Sequence, residues 1–289
     1  MTSISASSRN APNNPAPPGL YEQGGVLRLR ALDRYPELLH AVSTRRAPDG
    51  AGWNLSARRG TADQPADPAV ALANREKLAA LLGISLERMV GVRQVHGTTV
   101  VAVGNDHAGA GMRPETRPIE DADGMVTTTP GLYMLALSAD CPPVFLYDPE
   151  RRVAGLVHSG WKGTVGRIAA NAVALMRDEF GSNPADIVSV VGPGIGPCCY
   201  AVGEDVIRAA EAAFPGAWDG PSPLLERRDG QVYFNLRDGV RRALLDAGLQ
   251  PGNVTAEDVC TSHRRDLFYS HRGEAGRCGL FGAVFGLRG

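Results

Sequence analysis

Residues 131–163 read GLYMLALSADCPPVFLYDPERRVAGLVHSGWKG. Gly131–Leu137, Val144–Leu146 and Val153–Val157 are short, continuous apolar runs, the pattern of strands covered on both faces. Cys141-Pro142-Pro143 separates the first two, and the third ends on His158. Beyond His158-Ser159-Gly160-Trp161-Lys162-Gly163 the period changes from strand to helix. Thr164 is a candidate cap, and Val165, Ile168, Ala169, Ala172, Val173, Met176 and Phe180 form an apolar stripe.

Working outward, the same alternation of strands and helices continues irregularly. Downstream, Ile187–Val191 is a strand leading into Gly192-Pro193-Gly194-Ile195-Gly196-Pro197-Cys198-Cys199-Tyr200. Helices are predicted over Glu204–Phe214 and from an Asn235 cap to Ala247. Residues 216–231 are rich in Pro, Gly and Arg and read as an excursion. The C-terminal segment is expected to pair Leu267–His271 with Gly279–Leu287 across Gly273-Glu274-Ala275-Gly276. Upstream, Leu27–Leu32 alternates, and Leu38–Thr44 is a strand ending on Arg45 and Arg46. Asp67-Pro68 caps and opens a helix that Gly83 stops. Met89–Val95 and Thr98–Val103 are strands on either side of His96-Gly97. Residues 1–19 are polar, Pro-rich and aperiodic and are expected to be a disordered tail. No linker divides the rest, so the reading is one mixed α/β domain over residues 20–289.

Composition removes several function classes. Lys plus Arg is 30 against 31 for Asp plus Glu, so the basic excess of a nucleic-acid or membrane-surface binder is missing. No stretch approaches the ~18 apolar residues of a membrane span. The five cysteines are sparse and odd in number, which argues against a disulfide scaffold. With no apolar signal-peptide core near the N-terminus, a cytoplasmic protein is expected.

Two of the six histidines, His96 and His158, stand at predicted strand ends, and Cys141 occupies a third such place. Strand-end loops present reactive groups from a rigid scaffold. Two imidazoles and a thiolate form a three-ligand set that suits catalytic zinc with an open fourth position, and the same donors suit copper. Taken singly, each has a structural reading: a hydrogen-bonded strand-end histidine or a small buried thiol. Arg45 offers a guanidinium for phosphate, or simply a solvated charge. Asp140 is placed to orient a ligand, or to make a turn. The glycines of Gly192–Gly196 suggest either an anion cradle or a rigid turn. Cys198 and Cys199 lack C-x-x-C spacing and read as buried structural thiols. The P-loop, the G-x-S-x-G elbow, the H-E-x-x-H helix and the zinc-deaminase signature are absent.

The segments Ser43–Arg45 (STR), Ala73–Glu76 (ANRE), Arg93–Gly97 (RQVHG), Asp121–Gly124 (DADG), Ala139–Val144 (ADCPPV), His158–Thr164 (HSGWKGT) and Gly192–Val206 follow one another in an order that resembles the YfiH-type laccase-domain, or polyphenol oxidase-like, family. Members of that family are regarded as purine nucleoside phosphorylases. The resemblance spans about residues 25–287. It implies an α+β layered domain with a mixed sheet and flanking helices. It also implies zinc on His96, Cys141 and His158, with Arg45 on phosphate. The implied substrates are a purine nucleoside (adenosine, inosine or methylthioadenosine) and phosphate, with adenosine deamination as a second activity. One branch is linked to editing of peptidoglycan precursors. The sequence departs from the family at Arg58-Arg59-Gly60-Thr61, where a Gly-Asp pair is usual, and at Ser270–Arg277, which is shorter.

In the deaminase reading, zinc lowers the pKa of bound water to roughly 7 and so supplies hydroxide for attack on the base. A copper-dependent polyphenol oxidase is the alternative in the older family name, but a multicopper centre needs ~10 histidines by the usual ligand sets. A metal-free hydrolase on a Cys141/His158 dyad is a further alternative. No feature calls for a partner chain, and a monomer is expected.

Overall fold

The computed structural model describes residues 16–61 and 65–289. Of the predicted N-terminal tail, residues 1–15 lie outside the described residues. Within residues 16–19, Pro17 is buried and its carbonyl accepts the Leu20 N–H at 2.8 Å.

The described residues form three mixed or antiparallel sheets with five α-helices. The strands are β1 Leu20–Gln23, β2 Val26–Leu29, β3 Leu38–Val42, β4 Met89–Gly91 and β5 Val100–Ala102. They continue with β6 Gly124–Thr127, β7 Tyr133–Ser138, β8 Pro143–Asp148, β9 Val153–His158 and β10 Val188–Val191. The remainder are β11 Ala201–Val202, β12 Leu225–Arg228, β13 Gln231–Phe234, β14 Val254–Ala256 and β15 Phe281–Leu287. The helices are α1 Pro68–Leu82, α2 Trp161–Val165, α3 Ile168–Phe180, α4 Glu204–Ala213 and α5 Leu236–Asp246.

One six-stranded sheet has the order β1-β2-β3-β15-β7-β4, and the other β14-β10-β8-β9-β6-β5. Each includes parallel pairs, β4 with β7 in the first, β5 with β6 and β10 with β14 in the second. The strand alternation shows how they stack. Phe145 and Tyr147 of β8 pack with Met134 of β7 and Phe281 and Phe285 of β15 in one core. Phe145 and Phe285 meet edge to face, ring centres 5.4 Å apart. The intervening Val144 and Leu146 turn away to pack with Ile168, Val173 and Met176 of α3 and Val240 and Leu244 of α5. On the far side, Val284 and Leu135 pack with Leu78 and Leu82 of α1. The layers therefore run α1, sheet, sheet, α3 with α5. This is the expected α+β architecture, with β7, β8 and β9 sandwiched as their unbroken apolar runs require.

Local signals account for much of this. Asp67 accepts from the Ala69 and Val70 amides, and Gly83 closes α1 in the left-handed region at φ +68°. Four expectations need correction. Leu267–His271 is not a strand: both edges of β15 are taken by β3 and β7, which leaves no place for it. The 216–231 excursion contains β12 and joins β13 through a hairpin. Asp229 and Gly230 at its tip are both left-handed, as a tight hairpin turn demands. The strand predicted to reach Val95 stops at Gly91. The helix after His158 is broken into α2 and α3 at left-handed Arg167, so Thr164 lies inside α2.

Candidate functional site

His96, Cys141 and His158 come together at one end of the two central sheets. One donor atom from each lies within 4.8 Å of the others. His158 ends β9 and is buried, Cys141 sits in the β7–β8 connection and is half-buried, and His96 is exposed. The two imidazoles meet edge to face with centres 4.9 Å apart. Gly160 completes the cradle: a Cβ there would fall 2.9 Å from Cys141 Sγ and 3.1 Å from His96 Cδ2.

Asp123 holds the arrangement together. Its carboxylate is buried and accepts His158 Nδ1–H at 2.9 Å and the amides of Val95, His96 and Gly97 at 3.1, 3.0 and 2.7 Å. Those three amide bonds fix the turn in which His96 takes a left-handed conformation, φ +60°. The Gln94 side chain exchanges two 2.8 Å hydrogen bonds with the backbone of Leu137 and so pins the same segment to β7. With Nδ1 committed to a carboxylate, His158 is left with Nε2 as its donor, the carboxylate–histidine arrangement that orients metal ligands. A thiolate, two imidazoles and this buried carboxylate fit a zinc-class cation held on three ligands.

The three groups are electrostatically coupled. Burial pushes the Cys141 thiol up, but His158 and then His96 outweigh it and bring it down to about 6. Burial disfavours charge on His158, yet Cys141 and Asp123 raise it to about 9. Burial raises the Asp123 carboxyl, but the hydrogen bonds from His158 and the Gly97 and Val95 amides hold it below the usual range.

Asp140, left-handed at φ +88°, is anchored from three directions. Thr261 Oγ1 and Ser270 Oγ donate to its Oδ1 at 2.6 and 2.7 Å, and the Arg272 amide donates to Oδ2 at 2.6 Å. It thereby fixes the backbone that presents Cys141. The Gly192–Gly196 stretch is a rigid turn rather than an anion cradle. Its amides donate to Pro143 O, Val259 O, Asp140 O and Cys260 Sγ. Cys198 and Cys199 are not buried structural thiols. Cys198 is exposed, Cys199 half-buried, and both cluster with Cys260 and His263.

A cavity of about 490 Å³ opens beside Cys141, His96 and His158. Leu72, Val92, Met112 and Leu137 give it an apolar wall, and Arg58, Arg59, Arg75, Arg93 and Arg113 also line it. Arg45 does not line it. Its guanidinium pairs with Glu274 at 3.1 Å, donates to the Arg265 carbonyl at 2.8 Å, and lies over the Tyr269 ring. Sequence reasoning missed Asp123 and the cavity arginines. The available signals were the DADG segment and the Arg58-Arg59 departure.

The family described as multi-copper polyphenol oxidoreductase laccase matches residues 40–288. The chain belongs to this family. A relative named purine nucleoside phosphorylase, from Deinococcus radiodurans, is 39% identical over 262 residues, covering 89% of this chain and 92% of that protein. Purine nucleoside phosphorylase YlmD of Geobacillus stearothermophilus is 35% identical over 215 residues, 74% of this chain and 78% of its own. The crystal structure of that YlmD matches with a TM-score of 0.85 at 30% identity, covering 94% of this chain and 99% of the other. The Bacillus licheniformis hypothetical protein YfiH matches at 0.80 and 29%, covering 94% of this chain and all of that one. The resemblance carried by the sequence motifs is borne out.

Proposed function

We propose that this protein is a zinc-dependent purine nucleoside phosphorylase. The observation that carries the reading is the His96–Cys141–His158 cluster set in the wall of an arginine-lined cavity large enough for a nucleoside. The names of its relatives support it. Zinc bound by these three residues supplies Lewis acidity beside the substrate.

The chain's own residues bind and orient. Arg93 is paired with Glu120 and Asp121, Arg113 with Glu76 and Glu87, and Arg75 donates to the carbonyls of Leu55, Gly111 and Met112. Among the described residues neither Arg58 nor Arg59 has an acidic partner, and the Arg59 guanidinium meets His271 Nδ1 at 3.2 Å. Arg58 and Arg59 therefore take the phosphate role first expected of Arg45. The apolar wall receives the purine. A phosphate oxygen forms the bond to C1′ and the C1′–N9 bond breaks. Its electron pair leaves with the purine, and the proton of hydrogen phosphate ends on the base. The products are ribose 1-phosphate and free purine. The proposal takes adenosine, inosine and methylthioadenosine as substrates. It includes adenosine deamination, in which water replaces the C6 amino group and ammonia leaves.

A second reading has its own observation. His158 stands between Asp123 and Cys141, the order of a thiol hydrolase triad. The test is chromatography of adenosine incubated with metal-loaded protein, with and without phosphate. Adenine that appears only with phosphate supports phosphorolysis, and inosine formed without phosphate reads deamination. Neither product from a fully metal-loaded protein overturns the assignment. Rapid alkylation of Cys141 in protein as purified favours the hydrolase.

A further inference from the structure

We propose that Cys198, Cys199, Cys260 and His263 form a second metal site, a closed four-ligand structural centre for a soft divalent cation of the zinc class, separate from the one at Cys141. One donor atom from each residue lies within 4.8 Å of the other three. The His263 ring stands between two thiols, with Nδ1 3.5 Å from Cys198 Sγ and Nε2 3.3 Å from Cys199 Sγ. Either nitrogen can be the single donor. With Zn–S near 2.3 Å and Zn–N near 2.0 Å, the donors of a tetrahedral zinc stand roughly 3.5–3.8 Å apart, so the cluster needs only a small contraction to close.

The backbone is built for this approach. The donors come from two turns far apart in sequence, one after β10 and one after β14. A parallel bridge between Gly194 and Cys260 joins the two turns. The Gly196 amide donates to Cys260 Sγ at 3.3 Å, tying the first turn to the second at the cluster. A Cβ at 196 would crowd the cluster, lying 3.1 Å from Cys198 Sγ and 3.2 Å from Cys260 Cβ. Cys260 and His263 have the C-x-x-H spacing of a tight ligand turn. Three sulfurs and one nitrogen leave no open position, which is the character of a structural site rather than a catalytic one.

The cluster also has something to hold. Thr261 and Ile195, each inside one of the two turns, bond the side chain and carbonyl of Asp140, at 2.6 and 2.8 Å. Asp140 in turn sets the backbone of Cys141. A cation joining the turns therefore stiffens the support of the first centre without touching it.

The test is metal content and cobalt titration of the purified, reduced full chain. The variants are Cys141→Ala, the surface pair Cys198→Ser with His263→Gln, and all three changes combined. Wild type is expected to hold two equivalents of zinc, each single-site variant one, and the combined variant none. Cobalt in Cys141→Ala is expected to show intense thiolate charge transfer, lost in the combined variant. Loss of all metal from Cys141→Ala would overturn the proposal, as would two equivalents in the Cys198/His263 variant. A disulfide joining Cys260 to Cys198 or Cys199 in the protein as purified would overturn it too. Because each centre is read by its own variant, failure here leaves the phosphorylase reading standing, and the reverse holds.

Discussion

Asp123→Asn is the most informative single change at the primary site. The carboxylate receives four hydrogen bonds, two on each oxygen. Oδ1 takes the His96 amide and His158 Nδ1, and Oδ2 takes the Val95 and Gly97 amides. An amide of the same shape keeps one oxygen only. With its oxygen at the Oδ1 position, its NH2 faces the Val95 and Gly97 amides, leaving two part-buried donors unpaired. With the oxygen at Oδ2, the His96 amide is orphaned, and His158 must present Nδ1 as an acceptor. That tautomer places the proton on Nε2, where it blocks ligation. Each unpaired buried donor costs about 1–3 kcal/mol, so the variant should lose about 2–5 kcal/mol of stability. Removing such an outer carboxylate lowers metal affinity about 10–100-fold. Urea unfolding reads the first quantity and competition with a chromophoric chelator the second. Zinc affinity within threefold of wild type, together with unchanged stability, would refute the role given to Asp123.

Further outcomes follow from the structure. Gly160→Ala should lower zinc affinity at least tenfold in chelator competition while far-UV circular dichroism is retained, because its Cβ falls on Cys141 Sγ and His96 Cδ2. Arg58→Ala and Arg59→Ala should each raise the KM for phosphate about 10–100-fold with a smaller effect on nucleoside KM, at about 1.5–3 kcal/mol per charged hydrogen bond. Arg45→Ala should leave the phosphate KM unchanged. His40 gives a pH signature in stability. Burial, with help from Arg28, holds its imidazole at about 4, below the 6.5 of an unfolded chain, despite Asp33 nearby. The unfolded state therefore takes up the proton first. This contribution is complete above pH 6.5 and is lost as pH falls towards 4, about 3 kcal/mol in all. Urea midpoints across that window should flatten in His40→Gln.

How much of this was legible in the sequence depends on the range over which each feature is determined. Asp67, Pro68 and Gly83 bound α1 by local chemistry and read directly. The unbroken apolar runs of β7, β8 and β9 announce burial on both faces. His96, Cys141 and His158 stand out as strand-end residues, and the motif order tied them together. Asp123 did not stand out, because a buried carboxylate and a turn carboxylate look alike in sequence. Its partners are three amides 26–28 residues earlier and an imidazole 35 later. Cys260 and His263 lie more than sixty residues from Cys198 and Cys199, and the β10–β14 pairing with its Gly194–Cys260 bridge brings them together. Arg45 shows a different limit: its place at a strand end suggested phosphate, but its partner Glu274 lies more than two hundred residues away and could not be read from the sequence. The pairing of β15 was misread for a related reason: strand length is local, but the choice of β3 and β7 as neighbours is not.

The most direct test of the central claim is phosphate-dependent adenine release from adenosine by zinc-stripped protein, the same protein restored with zinc, and zinc-treated Cys141→Ala. Restored protein is expected to release adenine and ribose 1-phosphate in equal amounts, while the stripped protein and the variant release neither. Full phosphorolysis by the stripped protein, or by Cys141→Ala, would contradict the account.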